Sequence, residues 1–229
     1  MTYVISNIHG EFAKFKEMLE KIEFSDDDIL YVLGDIVDFG DESMELVCDL
    51  SVRTNVYPVM GEHDAMAQKM LSGFDSMLKS GGSPDPEYIA EMQEWIKKGG
   101  GKTLEGFRAL DEDMKEGVLD YLADMAPYEI AYTDSGVEFL LVHAGIAGFD
   151  PDKDLDDYEP EAFYTEAIDM DKEYFEDMGV IVGPVPTSDL GEIKGKILRK
   201  GKNIAIDCGV NKRGALACLC IDNGREFYI

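Results

Sequence analysis

Met1-Thr2-Tyr3-Val4-Ile5-Ser6-Asn7-Ile8-His9-Gly10 decides the fold. The first five residues read as a strand, and Ser6 to Gly10 as the loop that it enters. Phe12, Phe15, Met18, Leu19 and Ile22 then recur at helical spacing. The acidic run Ser25-Asp26-Asp27-Asp28 breaks to a second apolar stretch, Ile29 to Leu33, which ends in Gly34-Asp35. Strand, loop, helix, strand is the opening of an α/β fold. Working outward, a helix is expected over about Ser43 to Arg53, and a third strand, Val56 to Met60, runs into Gly61-Glu62-His63-Asp64. Three consecutive strands thus deliver polar residues at their C-terminal ends, where open α/β sheets place their sites.

From about residue 65 to 127 the character changes. Helical periodicity runs through Tyr88, Met92, Trp95 and Ile96, then Leu104, Phe107 and Leu110, then Val118, Tyr121 and Leu122, with a Gly- and Pro-bearing loop at Ser80 to Pro86 and a glycine triplet at 99–101. This reads as a helical cap inserted into one α/β domain that spans 1–229. Strands resume over Tyr128–Thr133, Val137–Val142, Gly179–Val182, Asn203–Ile206 and Ala215–Ile221, and a hairpin through Asp222-Asn223-Gly224 leads to Phe227. The acidic stretch Asp150 to Glu161 reads as a solvated loop.

The chain has 229 residues, 45% of them hydrophobic. Folding at that size buries about 70% of the unfolded surface, enough for one sizeable core. Its 48 Asp plus Glu against 21 Lys plus Arg give a formal charge of −27, which repels nucleic-acid phosphates and anionic lipid. Neither nucleic acid nor a membrane is therefore an expected partner. No apolar run approaches the ~20 residues of a membrane span, and nothing at the N-terminus pairs a basic region with an apolar one; a cytoplasmic protein is expected. Cys218 and Cys220 fall on one face of a strand, badly placed for a disulfide, and the cysteines read as core thiols.

Histidine is scarce, and its placement is not random. His9, His63 and His143 are the three in the chain, and each lies beside the C-terminal end of an expected strand, next to glycine or in a glycine-bearing loop. Imidazole is the commonest metal ligand and the side chain most easily poised for proton transfer near neutrality. The elements are Asn7-Ile8-His9-Gly10, Gly34-Asp35-Ile36-Val37-Asp38-Phe39-Gly40, Gly61-Glu62-His63-Asp64 and Val142-His143-Ala144-Gly145.

In order and spacing this set resembles the calcineurin-like metallophosphoesterases, in the phosphoprotein-phosphatase branch that includes small bacterial protein phosphatases and diadenosine tetraphosphatase-like enzymes. The resemblance covers nearly the whole chain, through Gly101-Lys102-Thr103-Leu104, Val180-Ile181-Val182-Gly183 with Pro186-Thr187, and Ile206-Asp207 with Gly209. It implies two mixed sheets flanked by helices and a divalent-metal phosphoesterase acting on a phosphoprotein or a dinucleoside polyphosphate. By position, Asn7 and His9 would face metal one, Asp35 would bridge, and Glu62 and His143 would face metal two. His63 would be the general acid, with Asp38 orienting it, and a hydroxide between the ions would attack phosphorus in line. Manganese is the expected ion, with iron, zinc and magnesium as alternatives. Lys212 and Arg213 are candidate contacts to a substrate phosphate.

Four positions depart from the family pattern. Its Asp is Asn7, its Asn is Glu62, its later His is Pro184, and the phosphate-binding Arg of its second loop is Phe39. Charge moves from metal one towards metal two, so metal two, with Asp35, Glu62 and His143, is expected to hold better. Two functions stay open: a phosphoesterase with one or two weakly held ions, or a pseudophosphatase that binds a phosphorylated ligand or protein partner.

Overall fold

The computed structural model describes residues 1–81, 85–187, 189 and 195–229, so part of the loop expected at Ser80 to Pro86 lies outside the described residues. Two five-stranded mixed sheets face each other. The first is built from β1 (Thr2–Ile5), β2 (Ile29–Leu33), β3 (Val56–Val59), β9 (Ala217–Cys220) and β10 (Glu226–Tyr228), in the order β10-β9-β1-β2-β3. The second is β4 (Glu129–Tyr132), β5 (Glu138–Leu141), β6 (Met178–Val182), β7 (Leu198–Lys200) and β8 (Asn203–Ala205), in the order β4-β5-β6-β8-β7. In the first sheet β1, β2 and β3 run parallel while β9 and β10 run antiparallel; in the second, β5, β6 and β8 run parallel between antiparallel edges.

Period-two alternation sorts each strand between two cores. Val4 and Leu33 point between the sheets, with Leu141, Ile181 and Leu219. Tyr3 and Ile5 point the other way, into helices α1 (Phe12–Lys21) and α2 (Ser43–Ser51), which contribute Phe15, Met18, Leu46 and Leu50. Phe15 is fully buried, and its truncation to alanine would cost about 3–5 kcal/mol. Cys218 and Cys220 both face this helical side, as their i, i+2 spacing requires, and all four cysteines are free thiols.

The helical segment begins earlier than periodicity alone suggests. Helix α3 (Glu62–Ser80) starts at Glu62, because Asp64 folds back to accept the Gly61 N–H at 3.1 Å and closes the first turn. Helices α4 (Pro86–Trp95), α5 (Gly101–Ala109) and α6 (Glu112–Ala123) follow, with Asp85 and Asp111 capping α4 and α6. Met70, Trp95, Phe107 and Leu122 join the same buried cluster as Ile5 and Leu30, so these helices share the core of the first sheet. The outer face of the second sheet is covered by irregular chain, with short turns at Leu155–Asp157 and Pro160–Phe163; Phe163 packs there against Tyr128 and Tyr158. No helix among the described residues is long and apolar enough to cross a membrane.

Candidate active site at the strand ends

The two sheets end together. The loops after β1 and β2 are tied by backbone bonds: Asn7 N–H to Gly34 O at 3.0 Å, His9 N–H to Asp35 O at 2.9 Å and Gly10 N–H to Ile36 O at 2.7 Å. The His63 N–H joins them by donating to Asp35 Oδ1 at 3.0 Å. Close approach requires glycine at 34: a Cβ there would sit 2.6 Å from Gly61 Cα and 2.8 Å from His143 Nδ1. Asn7, His9, Asp35, Asp38 and Phe39 all adopt positive φ, between 49° and 73°, so strained non-glycine backbone concentrates where these loops meet.

Asp35 is the centre. His9 Nε2 faces its Oδ2 at 3.7 Å and His143 Nε2 faces its Oδ1 at 3.6 Å. Both rings have fixed tautomers, because His9 Nδ1 lies 3.2 Å from Val37 O and His143 Nδ1 lies 2.8 Å from Leu33 O, and a carbonyl oxygen can only accept. With Nδ1 donating, each ring turns Nε2 towards an Asp35 oxygen, where the neutral form presents a lone pair and the imidazolium an N–H. Lone pair facing anion is unfavourable unless a cation or a hydrogen-bond donor stands between them. Burial would push the Asp35 carboxyl up, but His143, His9 and His63 together hold it below the usual range; burial dominates at His9 and lowers its value.

The two halves are filled differently. On the His9 side the Asn7 amide nitrogen donates to Asp35 Oδ2 at 3.1 Å and lies 3.5 Å from His9 Nε2, while Ser6 Oγ donates to Asn7 Oδ1. A neutral donor therefore stands where a cation would. On the His143 side no hydrogen bond bridges the 3.6 Å gap among the described residues. That half fits a divalent ion by its donor set, one imidazole and one carboxylate; the Asn7 half does not. Glu62 sits exposed on the first turn of α3, and no bond joins it to Asp35 or His143. Among the described residues no three His, Cys, Asp or Glu side chains already converge as a metal set.

Beside Asp35 lies a second constellation. His63 Nδ1 is 2.8 Å from Asp38 Oδ2. Asp38 is fully buried, and its carboxylate also accepts from Trp95 Nε1 at 2.9 Å and Thr103 Oγ1 at 2.8 Å. Burial alone would lower the His63 value, but the Asp38 hydrogen bond and the charges of Asp35, Asp38 and Asp64 raise it to about 9. The rings of His9, His63 and Phe39 pack mutually, with centroids 5.0–5.2 Å apart.

Sequence reasoning missed four contributors. Asp64 is buried and accepts from the Ile36, Val37 and Gly61 N–H groups, and burial with the Asp35 charge pushes it up to about 7. Asp207, behind the site, is pushed up to about 6, chiefly by burial. Trp95 and Thr103 read as helical core and motif residues, and nothing local marked them as partners of Asp38. Of the substrate-contact candidates, Lys212 pairs with Asp189 at 3.1 Å, and no hydrogen bond or ion pair joins Arg213 to a site residue among those described. A cleft of about 360 Å³ lies elsewhere, at Met170–Glu173 and Lys200–Asn203, and includes none of these residues.

A model described as calcineurin-like phosphoesterase matches residues 2–202. The symmetrical bis(5'-nucleosyl)-tetraphosphatase of Buchnera aphidicola is 34% identical over 125 residues, 50% of this chain and 41% of that protein, so the chain spans about two fifths of that relative's length in the match. In structure, a protein proposed to be a diadenosine tetraphosphatase superposes with a TM-score of 0.66 at 18% identity, covering 100% of this chain and 92% of the other. A serine/threonine protein phosphatase from Saccharomyces cerevisiae gives 0.54 at 13%, covering 100% and 78%. Both structural likenesses are likenesses of fold.

Proposed function

The chain belongs to the calcineurin-like phosphoesterase family, and from that premise we propose that it hydrolyses a phosphate ester, with a dinucleoside polyphosphate as the first substrate class to test and a phosphoprotein as the second. The observation that carries the reading is the His63–Asp38 pair, held at 2.8 Å beside the Asp35, His9 and His143 cluster.

His63 carries the proton that the departing oxygen needs. Its Nδ1–H is committed to Asp38, which leaves Nε2–H free to donate to a leaving group, and Asp38 stabilises the imidazolium until transfer. Trp95 and Thr103 keep Asp38 from rotating away. Asp35 and His143 would hold one divalent ion, manganese in the first instance, with Glu62 as third donor; its neighbour His63 already anchors this turn to Asp35 by a backbone bond. Such an ion supplies an activated water and neutralises phosphoryl oxygens. Asn7 closes the His9 half without a cation. Four free thiols, three of them buried, suit a reducing cytoplasm.

The same Asn7 amide favours a second reading. If both halves must carry ions for turnover, the chain is a pseudophosphatase that binds phosphorylated ligands. Hydrolysis of diadenosine tetraphosphate and p-nitrophenyl phosphate with added manganese separates the two. Manganese-dependent turnover of either substrate that disappears in Asp35→Ala supports the enzyme. Absence of turnover at every manganese concentration, with the folded chain still binding inorganic phosphate, supports the binding protein.

A further inference from the structure

The family's anion-binding arginine is Phe39 here, and a strongly acidic protein still has to capture a phosphate. We infer that Lys98, delivered to the site by a kink between α4 and α5, is the cation that holds the substrate's phosphoryl group.

The kink is built for placement. After Trp95 the chain passes through a kink over Ile96–Gly100, where Gly99 leaves helical geometry at φ 119°. Both ends of the kink are fastened to the second loop. On one side the Trp95 indole donates to Asp38. On the other the Phe39 N–H donates to Gly99 O at 3.0 Å, and a Cβ at Gly99 would meet the Phe39 ring at 2.8 Å. Lys98 lies between these anchors and lines one cleft with Glu62, His63, Met66 and Trp95.

Its ammonium forms no ion pair with a described carboxylate, although its field, after that of Lys97, helps to lower the Glu94 carboxyl. Lys97 pairs with Glu94 at 2.6 Å, and Lys102 reaches Asp41 and Glu105 at 3.3 Å each. Among the described residues no carboxylate lies within ion-pair distance of the Lys98 ammonium, although Asp plus Glu outnumber Lys plus Arg 48 to 21. A cation that lines the same cleft as the His63 imidazole is placed to meet a phosphoryl oxygen as the ester enters. The ammonium is a point charge rather than a bidentate fork, so it tolerates more phosphate orientations than arginine does.

The inference rests on the proposed site for the substrate's position, but the two fail separately. Inorganic phosphate binding to the full chain in manganese buffer, measured by calorimetry, is the test. Lys98→Gln should weaken phosphate about tenfold, as expected for loss of one charge-assisted contact. Lys98→Arg should keep affinity within about threefold, and Lys97→Gln within about twofold. Equal losses in Lys97→Gln and Lys98→Gln would reduce the effect to net charge and overturn the assignment, as would a Lys98→Gln chain that binds like the parent. Turnover with phosphate binding indifferent to Lys98 overturns only the anchor. Lys98-dependent binding without turnover overturns only hydrolysis.

Discussion

The Asn7 amide nitrogen donates to Asp35 Oδ2 at 3.1 Å, inside a cluster where His9 Nε2 and His143 Nε2 both face that carboxylate. Ser6 Oγ lies within hydrogen-bond distance of both Asn7 Oδ1 and Leu33 O, yet a hydroxyl has one proton. Rotating the amide by half a turn would return that proton to Leu33 and turn Oδ1 inward, towards His9. The amide orientation therefore reports whether an ion sits on that side.

Replacing Asn7 by aspartate should expose this device. Without metal, Asn7→Asp sets a second buried carboxylate against Asp35 and should lower stability by about 3 kcal/mol, read from denaturant midpoints in chelator. Manganese should then restore more stability to the variant than to the parent. A variant as stable as the parent in chelator would show that the amide contributes nothing.

His63 should matter in proportion to how badly the leaving group needs a proton. p-Nitrophenolate leaves readily as an anion, whereas an alkoxide does not. His63→Ala should therefore slow an alkyl phosphate about 10²–10⁴-fold and p-nitrophenyl phosphate markedly less. Equal losses on both, measured as kcat, would assign His63 to structure or binding.

Trp95→Phe keeps most of the apolar volume but removes the indole N–H from fully buried Asp38. It should cost about 1–3 kcal/mol in thermal or chemical unfolding and lower kcat without a matching rise in KM. A rise in KM alone would place Trp95 with the substrate rather than behind the general acid.

Much of this site is legible in the sequence because the family's strand-end loops are short and glycine-bearing. His9, Asp35, Asp38, His63 and His143 each fall within a few residues of an apolar run; the parallel order of β1, β2 and β3 brings the first four together, and His143 joins them from β5 of the facing sheet. The rest depends on contacts that no local pattern encodes. Asp38 meets Trp95 and Thr103 from 57 and 65 residues away. Strand β7 is three residues long, two of them charged and exposed, with no alternation to read. Lys212 looks free in sequence, and only the fold brings Asp189 to it. Asn7 takes the left-handed backbone that asparagine tolerates, at φ 52°, and its side chain still faces Asp35.

Asp207 gives a pH signature. Burial raises its carboxyl from 3.8 to about 6, so between those values the folded chain binds more protons than the unfolded one. Stability then falls as pH rises through that window, because the buried group must ionise. Asp207→Asn retains the oxygen that accepts the Gly209 N–H and should be more stable than the parent above pH ~6, by about 3 kcal/mol. The gap should close below pH ~4. A difference independent of pH, in parallel melts, would assign the effect to packing.

The most direct test of one ion held at Asp35 and His143 is electron paramagnetic resonance of the full chain titrated with manganese. The account predicts the hyperfine pattern of an isolated ion, saturating at one per chain, lost in His143→Ala and retained in His9→Ala. An exchange-coupled signal from two ions per chain, or loss of binding in His9→Ala equal to that in His143→Ala, would contradict it.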